Sequence, residues 1–156
     1  MTIAVAQNAL FNKYANTKGV TTVTIGSAML QFMGNGRVGD KYISKIACKL
    51  KSIRILDCER PSITSIIYKE AQQYYHKYRY VVAMDTNEDG EHTTIYMKEY
   101  GKGLNEFALL QYEKSELQII NILGYVNLND IKGLQYSLSI RLSHLRLQTI
   151  YLALTS

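Results

Sequence analysis

Four carboxylates stand where acidic chemistry is conceivable. Asp85 and Asp89 lie in the run Asp85-Thr86-Asn87-Glu88-Asp89-Gly90, and Glu99 and Glu106 lie on either side of Gly101-Lys102-Gly103. The first run matches the opening of a calcium loop, with oxygen ligands at alternate positions and a glycine for the bend. The closing position of such a loop is a bidentate glutamate, and here it is Tyr96. An Asp-Gly pair between two β-patterned stretches is also the turn of a tight hairpin, which accounts for the run more simply. If the stretches around Gly101–Gly103 pair, Glu99 and Glu106 fall on neighbouring or diagonal positions and could share a proton or a ligand. A solvated sheet face is the simpler account of both. Asp85, Asp89, Glu99 and Glu106 are therefore ligand candidates, and no catalytic set is assigned.

A second pattern invites a cofactor. Gly34-Asn35-Gly36-Arg37-Val38-Gly39 is a literal G-x-G-x-x-G, and Asp57 follows near the distance at which a dinucleotide fold places its ribose-binding acid. Three features oppose it. The preceding stretch, Ala28–Met33, reads as a short helix behind its own strand, whereas the fingerprint follows a strand directly. Asp40 would set a negative charge at the helix end that must attract a pyrophosphate. The second half of the chain is patterned for hairpins, not for βαβ units. A flexible glycine loop remains, and no cofactor is expected.

His76, His92 and His144 are scattered, with no second ligand at metal spacing, so no metal is expected. Cys48 and Cys58 bracket a strand-patterned stretch, which at roughly 3.3 Å per residue carries their sulfurs beyond disulfide reach. They read as separate, mostly buried thiols. Tyrosines are abundant, thirteen in all. Tyr74, Tyr75, Tyr78 and Tyr80 interleave with His76, Lys77 and Arg79, a mixture able to stack on bases or sugars. Helical spacing gives the simpler account: Tyr74 and Tyr78 pack inward with their hydroxyls at the rim.

The elements that must position these residues follow from periodicity. Asn8–Asn16 reads as a helix, Val20–Ile25 as a β-branched strand, and Ala28–Met33 as a short helix capped by Ser27. Lys41–Cys48 reads as a helix and Ser52–Asp57 as a strand. Pro61–Arg79 is the longest helix, with Ile63, Ile66, Ile67, Ala71, Tyr74, Tyr75 and Tyr78 on its broad apolar stripe. From Tyr80 the period becomes two, predicting strands Tyr80–Asp85, His92–Tyr100, Leu104–Tyr112 and Leu117–Leu123. A helix over Asn127–Leu134 follows, with Asn129 as its cap. The fold class is α+β: a two-layer sandwich with a mainly antiparallel sheet, a C-terminal four-strand meander, and helices packed on one face. Residues 7–140 form one domain. Residues 141–156 are a tail whose leucines suit a strand and a helix alike.

At 156 residues the chain is long enough to bury a core without metals or disulfides. No apolar run reaches the roughly 20 residues of a membrane helix. Residues 1–79 carry twelve Lys/Arg against four Asp/Glu, whereas residues 80–130 carry three against nine. Such polarity steers charged partners to one face, but no contiguous basic run marks a nucleic-acid site. Ala4-Val5-Ala6 before Gln7 is the small-x-small pattern that a signal peptidase cuts after, so residues 1–6 read as the remnant of a leader.

Three runs carry a resemblance to a known family: Phe11–Met33, Ile43–Glu59 and Tyr80–Leu134, the last including IYMKEYGKGLNEFALLQYE and IINILGYVNLNDIKGL. Together they resemble a family of small exported proteins from Gram-negative gut-type bacteria, catalogued as a domain of unknown function. The resemblance implies export and strengthens the signal-peptide reading. It implies no catalytic residues. Beyond Ile140 the chain departs from the family pattern.

The function expected is that of a non-enzymatic, exported binding or interaction module of the periplasm or cell envelope, with a protein or envelope partner. The partner would meet either the sheet face that helices leave uncovered or the basic N-terminal half. A small-molecule-binding or hydrolytic protein using the sheet carboxylates is the alternative, and nucleic-acid binding through the basic half is a third reading.

Overall fold

The computed structural model describes residues 3–32 and 45–132, with side chains from residue 9 onward. The glycine loop Gly34–Gly39 and the tail 141–156 lie outside the described residues. Helix α1 spans Ile3–Tyr14, strand β1 Val20–Ile25, helix α2 Ser27–Phe32 and strand β2 Leu50–Cys58. The long helix α3 runs Pro61–Lys77. Strands β3 (Val81–Glu88), β4 (Glu91–Gly101), β5 (Leu104–Glu113) and β6 (Glu116–Gly124) complete the series. The six strands form one antiparallel sheet in the order β1-β2-β6-β5-β4-β3, and the fold is α+β. Among the described residues no helix is long and apolar enough to cross a membrane.

Strand β3 outruns its expected end at Asp85, because the pairing with β4 continues to Glu88 opposite Glu91. An exposed strand needs no apolar alternation, so Thr86–Glu88 gave no strand signal in the sequence. The turn that follows is Asp89-Gly90, with φ of 50° and 83°. Two successive positive φ values are the type I′ geometry that suits the twist of a two-residue hairpin. The calcium-like run is thus one strand end and its turn.

Pro61 opens α3 at a position that needs no N–H, and Thr64, Ile67, Ala71 and Tyr75 form its buried stripe. Its C-terminus closes as a Schellman motif. Arg79 takes φ of 61° and donates its N–H to His76 O at 3.1 Å, while Tyr80 N–H reaches Tyr75 O at 2.9 Å. The accompanying apolar contact is Tyr75 against Tyr80, with ring centroids 5.0 Å apart. This stop turns Tyr80 into the core.

The chain divides into two compact units. The first comprises Met1–Thr24, Ile53–Glu99 and Glu106–Ile122. In it, Leu10 and Phe11 of α1 and Ile67, Ala71 and Tyr75 of α3 pack on Leu56, Tyr96, Ala108, Leu110, Leu117 and Ile119 of the sheet. At the margin of this core, Lys13 bridges Glu70 at 2.6 Å and the Tyr14 hydroxyl also donates to Glu70, tying α1 to α3. The opposite side of the same strands is buried too, at Ile55, Phe107, Leu109, Ile120 and Ile122. The expectation of a bare sheet face is therefore corrected at the centre of the sheet. Strands buried on both sides read as apolar runs instead of alternations, as Phe107-Ala108-Leu109-Leu110 does.

The second unit comprises Ile25–Ser52, Tyr100–Asn105 and the residues from Leu123. Leu30, Ile46, Ala47, Leu50, Val126 and Ile131 are its buried apolar residues. Gly124 is required by close approach, since a Cβ there would meet Lys49 O at 2.6 Å. Residues 45–47 and 128–132 are helical. The helix at 128–132 is capped by Asn127 and not, as expected, by Asn129. Asn127 Oδ1 accepts from Asp130 N–H at 3.0 Å, and Asp130 Oδ2 accepts from Asn127 N–H at 2.9 Å. This reciprocal pair satisfies two donors that a bare helix start leaves open.

Candidate functional site

The hairpin β3–β4 and helix α3 assemble a linear array on the first unit. The register pairs Asp85 with Thr94 and Asn87 with His92, which sets His92 diagonal to Asp85 on one face. Asp85 Oδ1 lies 2.6 Å from His92 Nε2 and accepts from Thr94 Oγ1 at 2.8 Å. On the far side of the imidazole, Nδ1 lies 2.7 Å from the Tyr68 hydroxyl. The Tyr68 ring stacks on Tyr112 with centroids 4.2 Å apart.

Donor and acceptor roles follow from elementary chemistry. An ionised carboxylate only accepts, so His92 Nε2 carries the proton, and in the neutral ring Nδ1 accepts from the Tyr68 O–H. The hydrogen bonds from Thr94 and then His92 lower the Asp85 pKa. Burial, then the Asp85 charge and Tyr112, raise that of Tyr68. The array is water-accessible: the His92 side chain is 32% exposed and that of Asp85 55%. It does not suit a metal, because Asp85 and Tyr68 occupy opposite ring nitrogens of His92. Among the described residues no group of three or more His, Cys, Asp or Glu converges.

A second constellation is buried. Glu106 on β5 is fully buried and accepts from the Tyr80 hydroxyl and, at 2.9 Å, from Asn121 Nδ2 on β6. Lys98 donates to Tyr78 O at 3.0 Å and sits over the Tyr80 ring at 5.2 Å from its centroid. Burial first, and the Glu106 charge second, raise the pKa of Tyr75 and Tyr74. The Tyr74 hydroxyl is buried, which corrects its expected place at the rim; among the described residues it has no hydrogen-bond partner. Tyr75, not Tyr74 or Tyr78, is the deepest of the series.

The four candidate carboxylates are not brought to one place. Glu99 is exposed while Glu106 is enclosed, so they offer no common solvent-facing pair. Asp85 is engaged by His92 and Thr94, and Asp89 is a turn residue. Cys48 and Cys58 are both free thiols; Cys58 is buried, but Cys48 is exposed, against expectation. The segment before the glycine loop is α2, a helix where a dinucleotide fold needs a strand. Sequence reasoning missed Tyr68, His92, Thr94, Tyr80 and Asn121. The Asp-Gly turn fixes the hairpin register and so carried the signal for His92 and Thr94 beside Asp85; nothing local signals Tyr68, Tyr80 or Asn121.

No curated protein and no solved structure matches the chain significantly. Residues 14–134 match the family described as Domain of unknown function (DUF4252), which is most of the chain and includes both constellations. The protein belongs to that family.

Proposed function

We propose that this protein is a non-enzymatic binding module acting in the periplasm or at the cell envelope, and that it grips an extended, basic segment of a partner protein along β3. One observation carries the reading: β3 ends the sheet among the described residues, and its Val81 and Val82 are 61% and 57% exposed. An edge strand offers main-chain donors and acceptors to an added strand, and its side chains select the occupant. In this reading α1 and α3 lie over one face of the β3–β6 meander, with β3 as the docking edge.

Charge narrows the occupant. Asp85, Glu88, Asp89 and Glu91 are all exposed around the hairpin. Two copies joined through β3 would crowd these acids together, whereas a segment rich in Lys or Arg with β-branched neighbours would complement them. The same acidic edge weighs against nucleic acid. Export rests on Ala4-Val5-Ala6; a cut after Ala6 leaves Leu10 and Phe11, the buried residues of α1, in place.

An array of ten-residue peptides tests the docking edge. Peptides alternating valine with lysine should be retained at low salt and released as salt rises, with the double variant Val81→Lys/Val82→Lys binding about tenfold more weakly. Equal retention by that variant, or a preference for acidic peptides, contradicts the reading. Sequencing the mature N-terminus from native cells tests export: a start at Gln7 supports it, and a chain that retains Met1 refutes it.

A further inference from the structure

Three phenols in the first unit are hydrogen-bonded to a basic neighbour. Tyr14 donates to Glu70 and Tyr80 to Glu106, both carboxylates. Tyr68 instead faces an imidazole nitrogen at 2.7 Å. A carboxylate is too weak a base to take a phenol's proton at neutral pH, whereas imidazole is matched to that range. The Asp85 carboxylate fixes the ring so that its free lone pair points at the Tyr68 hydroxyl, the orientation a nucleophile–base pair requires. Stacking on Tyr112 at 14° between ring planes holds the phenol, and Tyr68 keeps partial access to solvent.

We propose that Tyr68 is a nucleophilic acceptor site, with His92 as its base and Asp85 as a positioning residue, for donors that carry a leaving group on a carbonyl or sulfonyl centre. With a sulfonyl fluoride, Tyr68 Oη attacks sulfur and forms an S–O bond while the S–F bond breaks. The phenolic proton passes to His92 Nδ1, and fluoride departs with the bonding pair. The resulting imidazolium is held against the Asp85 carboxylate. An acyl donor balances in the same way, its leaving group departing from the carbonyl carbon. The groups that face Tyr68 are Asp85 on β3, His92 and Tyr96 on β4, and Tyr112 on β5. Burial and the Asp85 charge keep the phenol protonated at neutral pH, so proton transfer must accompany attack.

The test is labelling of the folded full chain with an arylsulfonyl fluoride, read by intact mass and peptide mapping. Tyr68 should label ahead of Tyr125, which is 50% exposed and serves as the control for simple accessibility. Its rate should reach a plateau below the pH at which phenols ionise. His92→Gln should slow labelling at least about tenfold, and Tyr68→Phe should abolish the adduct. The proposal is overturned if Tyr125 labels first, if the rate climbs only with phenol ionisation, or if a folded His92→Gln protein labels at the wild-type rate. The pH profile uses the unaltered protein and stands even where a variant fails to fold.

Discussion

A carboxylate withdrawn from water must be met by donors, and at Glu106 the Tyr80 hydroxyl and the Asn121 amide supply them. Both donors lose their acceptor if the carboxylate is removed, and each buried donor left unmet costs about 1–3 kcal/mol. Glu106→Ala should therefore lower unfolding free energy by about 3 kcal/mol, the void adding to the lost bonds. Glu106→Gln keeps an acceptor of the same shape and should cost about 1 kcal/mol. Urea denaturation of both variants checks this, with unchanged m-values as the sign that the folded state is preserved. An alanine variant as stable as the parent would show that the carboxylate's desolvation cancels its hydrogen bonds.

At the scale of elements, the helix starts and stops show which local signals are obeyed. Arg79 occupies the left-handed position that usually belongs to glycine, because the Schellman bonds and the Tyr75–Tyr80 contact over-determine the stop of α3. At the helix of residues 128–132, two asparagines compete for the cap and the one paired reciprocally with Asp130 holds it. Asn127→Ala should cost about 1 kcal/mol, and Asn129→Ala close to nothing. Thermal melts of the two variants distinguish them: equal shifts would mean that the reciprocal pair contributes no more than propensity does.

For the molecule as a whole, stability should be bounded on both sides of neutrality by identifiable groups. Burial pushes the Glu70 pKa up, but hydrogen bonds from Lys13 and Tyr14 outweigh it, and the net shift is downward. Asp85 is likewise lowered, by Thr94 and His92. Folded values below the unfolded ones mean that their contribution is present above about pH 4 and is lost as pH falls through the folded values. Burial and Glu70 push Tyr14 up to about 12, and burial raises Tyr74 and Tyr75 as well. Raised phenols contribute fully below their unfolded value of about 10 and lose that contribution as pH climbs through the folded values. Urea midpoints should thus stay level between about pH 5 and 9 and fall outside that window. A decline that begins near pH 7 would place control with other groups.

Periodicity, turn chemistry and caps act over a few residues, so the sequence by itself determined the order of helices and strands, the Asp89-Gly90 turn and the stripe of α3. Through the hairpin register it also placed His92 diagonal to Asp85. Only the tertiary structure decided which side chains meet across elements. Tyr68 reaches His92 because α3 lies on the sheet at one depth and one rotation, which are set by the packing of Ile67, Ala71 and Tyr75. Glu106 reads as a surface glutamate because most are; its partners lie 26 and 15 residues away, and its burial depends on a helix stop upstream that turns Tyr80 inward. Long-range contacts of this kind leave no mark on local sequence, since the free energy that selects them comes from the collapse of the whole core and not from any window of the chain.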